Sequence, residues 1–118
     1  MMGTYFTGYK GNFNPLSFVV IGPGQPYSSV VICGGFTLCG VLLPAAFTGT
    51  QISFFTSQFD GGSLQQIVNA AGPVVYTVAG GEYVAIDPKD FYGVNFLVIK
   101  SNANEAAERD FYVALRGF

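Results

Sequence analysis

Twelve of the 118 residues are charged, and none of the 118 is His. The acidic side chains include two close pairs, Asp87 with Asp90 and Glu105 with Glu108. Two carboxylates about 5–10 Å apart in a cleft are what glycoside hydrolysis requires. Here one pair sits beside the turn Asp87-Pro88, and the other lies in the polar run NEAAER. A helix cap and a solvated face account for them more simply. The lack of His removes the usual general base and every Ser-His-Asp or Cys-His arrangement. Gly22-Pro23-Gly24 lacks the rest of a phosphate-binding loop or a dinucleotide fingerprint. Asp60-Gly61-Gly62 lacks the alternating oxygen ligands of a calcium loop. Cys33 and Cys39 are six apart with no second pair, which does not make a zinc site, and both read as small apolar side chains. The chain is expected to be non-enzymatic, with no cofactor and no metal.

The elements that position these residues read as strands. Residues 52–57 alternate Ile52 and Phe54 with Ser53, Phe55 and Ser57. Residues 74–79 set Val74, Tyr76 and Val78 against Val75, Thr77 and Ala79. In residues 82–87, Val84 and Ile86 face away from Tyr83 and Ala85. Residues 94–100 are apolar on both faces and read as a central strand, and residues 110–116 place Phe111, Val113 and Leu115 inward. Residues 18–22 and 29–33 add two more. Turns fall at residues 22–26, Asp60-Gly61-Gly62, Ala71-Gly72-Pro73 and Gly80-Gly81, with the Asp-Gly-Gly and Gly-Gly sites read as hairpin connectors. Asp87 followed by Pro88 predicts one short helical turn, and residues 104–109 predict a loop or single turn. Seven to nine short strands predict an all-β fold: an antiparallel β-sandwich or jelly roll, with at most one or two helical turns. The length predicts one domain over residues 1–118, with residues 1–35 as an N-terminal arm or edge strands.

Half of the residues are apolar and only 10% are charged, against about 25% in an average globular chain. A spanning helix needs roughly 18–20 apolar residues. The longest run, residues 38–47, has ten and contains Gly40 and Pro44. No leader-like pattern opens the chain. Five scattered Lys and Arg residues form no stripe for phosphates, so nucleic acid is not an expected partner, and neither is a membrane. The deficit of charge has a location, since residues 11–59 hold no charged side chain. Such a stretch can serve the core or a subunit contact, because obligate interfaces resemble a core cut in two. Phe13, Leu16, Phe18, Phe36, Leu42 and Leu43 are the candidate interface residues.

Several motifs carry a resemblance: Leu43-Pro44-Ala45-Ala46-Phe47-Thr48, the run 52–60 with Gly61-Gly62, residues 64–67, Ile86-Asp87-Pro88, Phe91, Gly93 and residues 96–101. Together, over about residues 38–117, they resemble a run common among small β-sandwich structural proteins of tailed-bacteriophage virions. These are capsid cement (decoration) proteins or head and tail appendages. The resemblance implies a homo-oligomer, with a trimer favoured. It implies a capsid-surface location on the virion after synthesis in the bacterial cytoplasm, and the major capsid protein as partner. A second reading is a sugar-binding module, motivated by 16% aromatic residues, among them Tyr5, Phe6, Tyr9, Phe13, Tyr83, Phe91 and Tyr92.

Overall fold

Period-two alternation gives each strand one apolar side, and two such sheets bury those sides against each other. A computed structural model describes residues 16–117 and contains eleven strands. They are β1 (Leu16–Ile21), β2 (Val31–Ile32), β3 (Thr37–Leu42), β4 (Gln51–Ser57), β5 (Gln65–Gln66), β6 (Val68–Asn69), β7 (Gly72–Pro73), β8 (Val75–Thr77), β9 (Tyr83–Ala85), β10 (Phe96–Ser101) and β11 (Arg109–Arg116). One sheet runs β1-β11-β3-β9, and the other runs β2-β10-β4-β5, with β8 also paired to β4. Every ladder is antiparallel. The fold is the all-β sandwich that the alternation predicts.

Its topology is nested. The pair β4 with β8 is enclosed by β3 with β9, then β2 with β10, then β1 with β11. This rolled-up order, with the two sheets sharing the pairs alternately, is the jelly roll. Residues 58–74 form an excursion between β4 and β8. It contains the expected hairpin through the Asp60-Gly61-Gly62 turn, with Phe55 opposite Gln66, and a two-residue hairpin of β6 with β7.

The core lies between the sheets. From the four-stranded sheet come Val19, Ile21, Leu38, Val41, Val84, Phe111 and Val113, and from the other come Val31, Ile52, Phe54, Leu97 and Ile99. Strand β10 is interior to its sheet, and Leu97, Val98 and Ile99 are all buried, as its two-sided apolar pattern predicts. The expected short turn is a 3-10 turn over Pro88–Phe91, where the Asp87 carboxylate accepts from Lys89 N at 3.0 Å. That cap aims Phe91 into the core, edge-on to Phe54 with centroids 4.9 Å apart. Burying one such ring contributes about 2–3 kcal/mol.

Two local expectations change. Strand β3 was not among the expected strands. Its alternation is broken by Cys39 and Gly40, where the ladder to β11 shifts register between Ala114 and Leu115; an extra residue of this kind is a bulge. Gly80-Gly81 does not close a hairpin, since β8 and β9 belong to different sheets. The segment crosses the end of the sandwich, and Gly80 is needed because a Cβ there would come within 2.5 Å of the Ala45 carbonyl oxygen. Of residues 1–35, the described part supplies β1 and β2, each at an edge of its sheet.

Candidate interaction surface

Residues directly opposite across a ladder share a face. On the four-stranded sheet the inner row Val113, Val41 and Val84 points to the core. The flanking rows therefore point outward. One outward row is Phe18, Tyr112, Leu42 and Tyr83, taken across β1, β11, β3 and β9. The next is Leu16, Ala114, Gly40 and Ala85. Leu16 is 58% exposed, Phe18 52%, Tyr83 56% and Tyr112 45%. Phe18 and Tyr112 meet edge to face, with centroids 5.4 Å apart and planes at 64°. The Tyr83 ring lies over Gly40, where a Cβ would collide with it. Aromatic cover of a strand glycine in this way leaves a smooth surface. The result is an apolar sheet face with Asp110 outward at one end of β11 and Arg116 outward at the other.

The structure divides the six candidate interface residues. Leu16, Phe18 and Leu42 come together on this outer face. Phe36 is partly buried and packs against the core, and Leu43 is buried within it. Phe13 lies outside the described residues. Tyr83 and Tyr112 complete the surface but were absent from the candidates. The signal for them was present, because both sit opposite the inward set in their strands. Both lie outside the uncharged stretch 11–59.

Glu105 departs most from its sequence reading. Its side chain is fully buried, not solvated. Oε1 accepts from Thr48 N at 3.0 Å and from Arg109 Nε at 2.8 Å, the latter an ion pair. Oε2 accepts from Thr48 Oγ1 at 3.0 Å, Gly49 N at 3.2 Å and Ser101 Oγ at 3.2 Å. Burial pushes this carboxyl up, but the bonds from Arg109, Thr48 and Ser101 outweigh it and hold the group below its ordinary value. With its lone pairs engaged by five donors, Glu105 is a structural pin joining three segments. Glu108 is exposed and is pushed up by its hydrogen bond to Asp110 and by that neighbour's charge.

Other chemistry-bearing groups are dispersed. Cys33 and Cys39 are free thiols. Burial pushes Cys33 up to about 11. Cys39 Sγ donates to the Ala114 carbonyl at 3.4 Å; burial raises its thiol and the Arg116 charge partly offsets this. Among the described residues no group of three His, Cys, Asp or Glu side chains is placed to hold a metal ion. Among them, too, no helix is long and apolar enough to cross a membrane. A small open cavity of about 220 Å³ at the β4–β5 turn is lined by Gln58, Phe59, Ser63 and Gln65. No family model, curated protein or solved structure matches this chain. The phage resemblance therefore stands on the quoted motifs alone.

Proposed function

We propose that this chain is a non-enzymatic structural subunit of a tailed-bacteriophage virion, a capsid cement or decoration protein that sits on the head and bridges neighbouring capsid subunits. The observation that supports it best is the outward apolar row Phe18, Tyr112, Leu42 and Tyr83. Contiguous apolar faces on folded domains mark association surfaces. Burying such a face against other protein supplies the binding free energy, at roughly 25 cal/mol per Å² before the costs of association. The jelly roll also occurs in viral capsid domains, which is an argument from fold analogy. The test is reconstitution of purified protein with heads that lack it. The expected result is saturable binding and higher heat resistance of the particle, both lost in Phe18→Asp and Tyr112→Asp. Heads that bind neither protein nor variants sink the proposal.

A sugar-binding module is the second reading. The cavity beside Phe59 favours it, because an exposed ring flanked by the amides of Gln58 and Gln65 and the Ser63 hydroxyl can stack on a sugar and bond its hydroxyls. The outer-face rings do not add to it, since Phe18 and Tyr112 are not coplanar. Binding on a glycan array that disappears in Phe59→Ala is the result this reading requires.

A further inference from the structure

We infer that the outer face of the four-stranded sheet is self-complementary and that a second copy of this chain covers it, with its strands reversed about a two-fold axis. The inference rests on the reading of this face as an assembly surface and adds the identity and orientation of the occupant.

Three observations carry it. The first is the alternation of rows. A bulky row, Phe18, Tyr112, Leu42 and Tyr83, lies beside a smaller one, Leu16, Ala114, Gly40 and Ala85. The inner row through Val113, Val41 and Val84 lies midway between them. A two-fold axis running across the strands above that midline exchanges the two rows. Tyr112 of one copy then stands over Ala114 of the other, Tyr83 over Ala85 and Phe18 over Leu16. Leu42 meets the Tyr83 ring that lies over Gly40. An axis parallel to the strands sets each row against itself instead, so bulky side chains meet bulky ones.

The second observation is charge. Asp110 and Arg116 point outward at opposite ends of β11, paired across the ladders with Val20 and Thr37. The same midline exchanges positions 110 and 116. Reversed strands therefore bring Asp110 of each copy to Arg116 of the other, while strands running in the same direction bring Asp110 to Asp110. Glu108, two residues before Asp110 in sequence, adds negative charge at that end, and a guanidinium placed there relieves it.

The third is size. Three strands about 20 Å long and the three-residue β9, about 4.8 Å apart, make a face of roughly 300–400 Å² in plan on each copy. Over both copies that is at most about 800 Å², below a stable dimer and in the range of a weak, transient contact. Two facing sheets also pack in register when their strands lie within about 30° of one another, which reversed strands allow. A three-fold ring, favoured by the resemblance, needs two different surfaces per copy. The outer face matches itself, and an isologous two-fold contact is the arrangement such a surface makes.

The test is sedimentation equilibrium on the isolated protein from about 1 to 200 µM, with circular dichroism confirming the β-sheet fold of each variant. The expected mass moves from one chain to two as concentration rises. Asp110→Arg and Arg116→Asp each place like charges together and should weaken pairing about tenfold or more. The double variant carrying both swaps should restore it to within about threefold. Ala85→Trp, at the exposed place opposite Tyr83, should abolish pairing while the fold persists. A monomer at every concentration, a mass of three chains, or a double swap no better than the singles overturns the inference. A protein that stays monomeric yet binds heads through Phe18 and Tyr112 overturns the self-pairing alone. A monomer that binds no heads removes the underlying reading as well.

Discussion

Glu105 holds five donors, three of them from the sequence-distant Thr48 and Gly49, and at this position removal costs more than the bonds themselves would suggest. Glu105→Ala leaves the Arg109 guanidinium and the Thr48 and Gly49 amides without their acceptor, at about 3–5 kcal/mol. Glu105→Gln keeps the shape and loses the charge, at about 1–3 kcal/mol. Urea unfolding monitored by circular dichroism measures both. Because the folded carboxyl is held below its ordinary value of 4.5, its contribution is complete above that pH and is lost as the pH falls through the folded value. The wild type should therefore lose stability on acidification below about pH 4.5, and Glu105→Gln should show a shallower slope there. A slope unchanged by the substitution would mean that other groups govern acid unfolding. Nothing local marks Glu105. Residues 104–109 look polar and solvated, and three of the five donors come from residues 48 and 49. Sequence pattern sees periodicity and neighbours, so a buried polar knot that draws residues 48 and 49 to the end of β10 and the start of β11 is invisible to it. Asp87 was legible for the opposite reason, since its cap closes within two residues.

At the scale of elements, the crossing between sheets depends on a close backbone approach. A Cβ at Gly80 would lie 2.5 Å from the Ala45 carbonyl oxygen and 2.9 Å from that of Phe47. Backbone cannot swing aside, so Gly80→Ala should lower stability by about 1–3 kcal/mol, read as a shift in the denaturant midpoint. Gly40→Ala is the informative contrast. Its Cβ would meet only the end of the Tyr83 side chain. Stability should change by less than about 1 kcal/mol, while the displaced ring disturbs the outer face and weakens association. The strands legible in the sequence were those with unbroken alternation, such as β4 and β11, or with an apolar run, such as β10. Strand β3 escaped because its bulge at Cys39 and Gly40 interrupts the period at mid-strand. The Gly80-Gly81 pair looked like a hairpin because two glycines permit positive φ whether the chain reverses within a sheet or passes to the next. Only pairing distinguishes the two, and pairing is non-local.

For the molecule as a whole, Leu16, Phe18, Tyr83 and Tyr112, four exposed large apolar side chains of the described residues, lie on one face drawn from β1, β3, β9 and β11, and the uncharged stretch supplies only part of it. Composition gave the surplus of apolar surface but could not assign it to a sheet. The nested ladders also shape folding. β1 pairs with β11 and β2 with β10 across most of the chain, so few contacts are local. Chains of this kind fold in milliseconds to seconds. Removing residues 109–118 takes out the strand between β1 and β3. That truncated chain should show no cooperative thermal transition, and a sharp transition would contradict the role given to β11. A timing consequence follows for the growing chain on a ribosome. Leu16–Ile21 emerges early and finds its ladder partner only when Arg109–Arg116 has left the exit tunnel. The outer face needs all four strands, so it does not exist before β11 has emerged. Any pairing of nascent copies through that face therefore waits until Arg109–Arg116 has emerged from each ribosome.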